Sequence, residues 1–223
     1  MEENRNIQSE QETPISDELL TNAAQGGIEK PKKDWKKELR EWIVSIAAAL
    51  LVVFIIRNFL FQIIRVDGSS MFSTLLDNER LLVSVLDVRL NGVERGDIVI
   101  CHYPNRGRTN FVKRAVAVPG DQVYRKDGET HVVYEVDGET VDEILDPYIP
   151  NKFHPYIGSP DYELYTLGED EYFVVGDNRY NSHDSRDWSD PDPSNDVGPI
   201  TGDMIVGKVR RVIWPIDSMR SVE

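Results

Sequence analysis

Three serines, Ser69, Ser70 and Ser73, stand within the short stretch VDGSSMFSTL, Val66 to Leu75, with Gly68 before them and Met71-Phe72 between them. Such a segment is either a serine-rich turn or a loop that presents a nucleophile. A serine hydroxyl reacts only beside a group that can take its proton. The four histidines, His102, His131, His154 and His183, are scattered and lack the H-E-x-x-H or Cys/His spacing of a zinc site, so no metal is expected. Ser182-His183-Asp184 carries the letters of a catalytic triad, but consecutive side chains diverge along the backbone and cannot adopt that geometry.

Lysine can replace histidine as the base when it is neutral, which requires burial to lower its pKa from ~10.4 by several units. Most lysines here sit among other charges, as Lys126 does beside Arg125 and Asp127, and Lys208 shortly before Arg210 and Arg211. Lys113 differs. In FVKRAVAVPGD a period of two puts Phe111, Lys113, Ala115 and Ala117 on one face of a strand. A lysine there is either a desolvated amine or an edge residue that snorkels to water, and the second is the commoner fate of a lysine. The loop GDNRYNSHDSR, Gly176 to Arg186, is equally two-sided: it is a self-capping loop of Asx turns and Asp–Arg pairs, or a scaffold that positions reacting groups.

These residues need elements to hold them. The chain has 223 residues and a formal net charge of -14, which speaks against a nucleic-acid partner. Residues 1–29 hold seven acids and one base and read as a disordered tail, whereas residues 30–40 hold six bases and two acids. The apolar run from Trp42 to Ile56, extended through Leu60, approaches the ~20 residues of a bilayer span, and Arg57 can snorkel to the interface. With the basic flank ahead of it, the positive-inside rule places residues 1–40 in the cytoplasm, a single anchor over 41–63 in the plasma membrane, and 64–223 on the outer face. No A-x-A-like site follows the run, so a cleaved signal peptide is not expected.

Beyond Arg65 the chain reads as β. RLLVSVLDVRL, GDIVICHY, FVKRAVAVPGD, HVVYEVDGET, EYFVVGDN and IVGKVRRVIW are short β-branched stretches between turn residues, and none shows helical periodicity. The expected fold is therefore mainly β, a folded antiparallel sheet after the anchor. The acidic, proline-bearing segment at about 122–170 reads as an inserted smaller lobe. The single cysteine, Cys101, excludes an intramolecular disulfide and reads as a small hydrophobe in a strand.

Taken in order, VDGSSMFSTL, RGDIVI, FVKRAVAVPGD and GDNRYNSHDSR resemble the conserved boxes of the bacterial type I signal peptidases, with an anchor before them as in the Gram-positive form. The resemblance covers roughly Glu41 to Ile216. It implies a membrane-anchored serine endopeptidase that uses no cofactor and removes signal peptides after small residues through an acyl-enzyme. Pre-protein signal peptides, the lipid bilayer and the secretion translocon are the partners it suggests. By the same resemblance Ser70 matches the nucleophile, Lys113 the general base, and Ser182 the serine whose hydroxyl helps hold the amine. Asp184 and Arg186 match an ion pair that orders the loop, and Asp177 and Arg179 fall on structural positions. Met71 and Phe72 are then expected to touch the lipid headgroups. Two positions depart from the family pattern. Ser73 stands where proline is usual, and Gly68 stands where some members carry a serine of the oxyanion hole, which leaves that role to backbone N–H groups, chiefly that of Ser70. A catalytically silent membrane-anchored protein that binds signal-bearing chains is the competing reading, and it needs neither Ser70 nor Lys113.

Overall fold

The computed structural model describes residues 35–147, 160–188 and 192–222. The acidic tail and His154 lie outside the described residues, as do the side chains of Arg57 and Asn58. The chain divides into two units, residues 1–49 and 50–223.

Helix α1 (Trp35–Ile55) buries none of its residues. A π-helical turn follows at Ile56–Leu60, and strand β1 (Phe61–Arg65) begins directly after it. The segment 41–63 is thus not helical throughout: Phe61, Gln62 and Ile63 are captured by the sheet. From Trp42 to Ile55 the apolar part of α1 is fourteen residues, about 21 Å at ~1.5 Å per residue against a hydrocarbon core of ~30 Å. Its remainder carries Glu38, Arg40 and Glu41. Among the described residues, no helix is long and apolar enough to cross a membrane.

Antiparallel strands make up the larger unit, which agrees with the mainly β expectation. They are β2 (Arg80–Ser84), β3 (Ile98–Cys101), β4 (Phe111–Ala117), β5 (Gln122–Lys126), β6 (Glu129–Val136), β7 (Glu139–Ile144), β8 (Tyr162–Thr166), β9 (Glu171–Val175), β10 (Ile200–Thr201), β11 (Ile205–Trp214) and β12 (Arg220–Ser221). The large sheet runs β1-β2-β11-β3-β4-β9-β10, with β12 pairing β11; the smaller sheet runs β7-β6-β5-β8 and lies within the 122–170 segment. All four residues of β3 are buried because both faces of the large sheet are covered. Ile98 and Ile100 join Met71, Leu75, Leu81 and Val212 on one face, while Val99 and Cys101 join Ala115, Val174 and Ile200 on the other. Burial pushes the Cys101 thiol up to about 12, so it stays a protonated, inert hydrophobe.

One stretch departs from its β reading. RLLVSVLDVRL forms β2 and then a short helix, α2 (Val85–Asn91). Ser84 ends the strand in an extended conformation, and its Oγ accepts the Asp87 N–H at 3.3 Å, an N-cap. Gly92, at φ 68°, closes the helix with its N–H on the Val88 carbonyl. Serine three residues before aspartate is a capping signal that the apolar residues around it obscure. Ser84→Ala should lower the stability of the full chain by about 1 kcal/mol, read as a shift of the urea midpoint at unchanged slope.

Candidate active site

The serine loop hangs from the junction of β1 and β2. Its neck is closed by the Val66 N–H on the Glu79 carbonyl at 2.8 Å and the Asn78 N–H on the Val66 carbonyl at 3.0 Å. Glu79 is buried beneath the loop; it accepts the Leu76 N–H at 2.9 Å and a fork of two bonds from Arg220 at 2.6 and 2.9 Å. The same guanidinium reaches the Thr74 carbonyl at 2.7 Å. Burial alone would raise the Glu79 pKa, but the Arg220 and Leu76 hydrogen bonds hold it below the usual carboxylate range. Met71 is not an outward apolar tip. Its side chain is 2% exposed in the core, because the loop needs an apolar plug over Leu75, Leu81 and Val212. Phe72, in contrast, is 57% exposed. Gly68, at φ 98°, adopts a conformation that side chains disfavour, and its N–H is held by Asp77 at 3.0 Å.

Lys113 reaches this loop from β4. The ladder pairs Lys113 with Val99 on β3 and Ala115 with Val174 on β9, and this register aims the lysine inward. The residue is 2% exposed. Nζ lies 2.9 Å from Ser70 Oγ and 3.0 Å from the Val112 carbonyl oxygen. Burial disfavours the ammonium and lowers the Lys113 pKa, with Arg186 adding to the effect, while Asp184, Cys101 and Asp177 oppose it. The structure thus brings together two residues that lie 43 apart in sequence as a hydroxyl and a desolvated amine.

The loop after β9 supports both. Asp184 and Arg186 are fully buried and paired twice, Nε to Oδ1 and Nη2 to Oδ2, each at 2.9 Å. Arg186 also reaches Asp146 at 3.1 Å and the Arg179 carbonyl at 2.7 Å. Burial pushes Asp184 up, but the Arg186 charge and hydrogen bonds, with the Gly176 N–H at 3.0 Å, hold it ionised below its usual range. Asp177 forks onto Arg114 at 2.9 and 2.8 Å, and Arg179 Nη1 donates to the Leu145 carbonyl at 3.0 Å. Ser182 departs from expectation. Its buried Oγ makes no hydrogen bond of good geometry among the described residues, although its proximity helps keep Asp184 ionised. The amine turns instead to the carbonyl of its own neighbour, Val112.

Three residues of this loop escape a reading by residue chemistry. Asn178 donates its backbone N–H to the Ser70 carbonyl at 2.9 Å and its side-chain amide to the Ser69 carbonyl at 3.1 Å. Asn181 donates to Ser69 Oγ at 3.1 Å. Gly176 has no room for a side chain: a Cβ there would lie 2.5 Å from the Ser70 carbonyl oxygen and collide with Ser182 Oγ. Glycine and asparagine are ordinary turn residues, so only the fold reveals these contacts. Lys208 is a further surprise, buried and paired with Asp97 at 2.7 Å rather than solvated among its basic neighbours.

Ser70 and Lys113 line a cleft of about 190 Å³ together with Ile64, Arg65, Val66, Asn110 and Phe111. β3 pairs β4 from Phe111 to Arg114, but β9 joins it only from Arg114 onward, so the other edge of Phe111–Lys113 faces the cleft. Among the described residues no hydrogen bond is donated by the Ser70 N–H. Such an arrangement can add a hydroxyl to a carbonyl, take its proton, and receive the resulting oxyanion.

Residues 39–214 match the family described as signal peptidase, peptidase S26. The chain is similar to signal peptidase IB of Staphylococcus aureus, at 34% identity over 83% of this chain and 94% of that one. It is similar to signal peptidase I T of Bacillus subtilis, at 34% identity over 92% of this chain and 100% of that one. Signal peptidase I of Bacillus amyloliquefaciens matches at 33% identity over 87% of this chain and 98% of that one.

The buried amine has a consequence for stability that needs no substrate. A folded pKa below the unfolded value means that the folded state disfavours the proton, so stability rises with pH until the unfolded lysine also loses its charge near ~10.4. Lys113→Met should raise the urea midpoint at neutral pH, and the gain should shrink as pH rises toward that value. A gain independent of pH would contradict a depressed Lys113 pKa.

Proposed function

Because this chain belongs to the signal peptidase family, peptidase S26, we propose that Ser70 and Lys113 form the dyad with which it removes signal peptides from pre-proteins. The observation that carries this reading is the 2.9 Å separation between Ser70 Oγ and the amine of a lysine that is 2% exposed. Neutral Lys113 takes the Ser70 proton as Oγ attacks the scissile carbonyl carbon. The Ser70 N–H receives the oxyanion, a contribution of roughly 3–4 kcal/mol for one donor in comparable sites. The ammonium then protonates the leaving amine, an acyl-enzyme remains, and water activated by the same lysine releases it.

The cleft supports a substrate bound as an added strand. The unpaired edge at Phe111–Lys113 offers main-chain hydrogen bonds, and the opposite wall is Ile64–Asp67. A cleft of about 190 Å³ takes small side chains and turns away bulky ones, in keeping with cleavage after an A-x-A-like sequence. Membrane attachment belongs to the same proposal. Trp42, Leu50, Val53, Phe54 and Ile56 are each 46–66% exposed, a surface suited to lipid. The fourteen apolar residues of α1 and the five of the π-helical turn Ile56–Leu60, which include Arg57 and Asn58, together give nineteen residues, close to the ~20 of a span. With its basic flank inside, the catalytic unit lies on the outer face.

The test is incubation of the detergent-solubilised full chain with a labelled pre-protein, with the cut mapped by mass spectrometry. Ser70→Ala should abolish cleavage, while Ser73→Ala, which alters an exposed hydroxyl, should retain it. Activity should rise with pH along a limb well below ~10.4. Lys113→Arg keeps the charge and bulk but cannot deprotonate, so it should be as inactive as Lys113→Ala. Near-normal turnover by Lys113→Arg would end the dyad reading and favour a binding protein.

A further inference from the structure

The geometry points to Asn178 as the residue that aims the oxyanion-binding N–H of Ser70. This inference rests on the proposed function and concerns one peptide plane within it. The Ser69 carbonyl and the Ser70 N–H belong to the same planar unit and point in opposite directions. Whatever fixes the carbonyl therefore fixes the direction of the N–H. The Ser69 oxygen accepts two bonds, one from Asn178 Nδ2 at 3.1 Å and one from the Phe72 N–H at 3.1 Å. The Phe72 bond lies within the serine loop and moves with it. Asn178 comes from the far side of the site, 109 residues away, and ties the plane to the end of β9.

Asn178 also holds the next peptide plane. Its own N–H donates to the Ser70 carbonyl at 2.9 Å, so the planes on both sides of the nucleophile are fixed by one residue. Asn181 adds a bond to Ser69 Oγ at 3.1 Å, which steadies the side chain rather than the plane. A carbonyl that accepts a hydrogen bond also polarises its amide and makes the attached N–H a better donor. Asn178 touches neither the scissile bond nor the amine; it is a positioning residue. An amide side chain suits the task because it donates without adding charge beside Lys113.

Substitution of the side chain leaves the Asn178 N–H and its bond to Ser70 in place, so Asn178→Ala should remain folded with its loop docked. It should lower kcat by roughly tenfold to a hundredfold, less than the loss of an oxyanion donor outright. KM should stay within about twofold, and the pH limb assigned to Lys113 should not move. Asn178→Asp, nearly isosteric but with an oxygen facing the Ser69 oxygen, should be at least as impaired, and Asn178→Gln should recover part of the loss.

A peptide aldehyde ending in alanine gives a readout that a merely structural role would not move. Ser70 Oγ adds to the aldehyde carbon, its proton passes to Lys113 Nζ, and the aldehyde oxygen becomes the oxyanion. Its affinity should fall in Asn178→Ala by the same factor as kcat, while affinity for the cleaved peptide product is unchanged. Wild-type kcat in Asn178→Ala, unchanged aldehyde affinity, or a displaced pH limb would each overturn the inference. If neither Asn178→Ala nor Asn178→Asp folds, the residue is structural and the inference also falls. A wild-type chain that cleaves no pre-protein would instead defeat the proposed function itself.

Discussion

Burying a lysine amine is costly, and much of the site follows from the way β4 imposes that burial. Lys113 cannot turn outward without a slip of register, and a slip of one residue would exchange the faces of Phe111 through Ala117 along both neighbouring ladders. The amine is therefore held out of water by the whole sheet. Burial favours its neutral form, but the ionised Asp184 nearby acts in the opposite sense. The double bond from Arg186 to Asp184 does more than order a loop: it sets a positive charge against the carboxylate that would otherwise recharge the lysine. Arg186 lowers the Lys113 pKa for that reason. An Asp–Arg pair is thus compatible with a neutral amine where a lone aspartate would not be.

The same guanidinium links the loop to the smaller sheet. Arg186 reaches Asp146, which accepts the Thr130 N–H at 2.8 Å, and Arg125 donates to the Arg186 carbonyl. Arg179 donates to the Leu145 carbonyl from the loop side. Buried charges of this kind are poor contributors to stability but severe when left single, since an unpaired partner keeps its desolvation penalty. The lobe therefore does not hang freely from the large sheet. Its Asp146 and Leu145 satisfy groups of the loop that carries Asp184, and Val132 and Val123 pack with Phe173 and Val175 beneath them.

The sequence carried the β character clearly because strands of period two with turn residues between them need no tertiary information. It carried Ser70 and Lys113 as chemical types, but their partnership came only through resemblance, since nothing local distinguishes a buried lysine from one that snorkels. Lys208 stands shortly before Arg210 and Arg211, yet it is buried and paired with Asp97. The end of α1 was equally illegible. Apolar residues resume after Arg57-Asn58 as far as Ile64, but the helix stops where five residues of β1 find five partners on β2, a non-local choice. Gly176 and Asn178 lie in a loop that composition leaves two-sided, because their approach to Ser69 and Ser70 spans more than a hundred residues.

Met71 and Phe72 share one expectation, contact with the lipid headgroups, but the fold sends them opposite ways. Adjacent residues in a turn face apart, so when one enters the core its neighbour is presented to solvent. Met71 inserts beside Leu75 and Leu81 and fixes the C-terminal side of Ser70 against the sheet, while the asparagines fix the N-terminal side through Ser69. Ser70 is thereby held by the packing of Met71 on its C-terminal side and by hydrogen bonds to the carbonyls of both Ser69 and Ser70. Packing resists compression and hydrogen bonds resist rotation. The Ser70 hydroxyl, 2.9 Å from the Lys113 amine, stands under both restraints. Phe72 is released to the surface, where it stays 57% exposed.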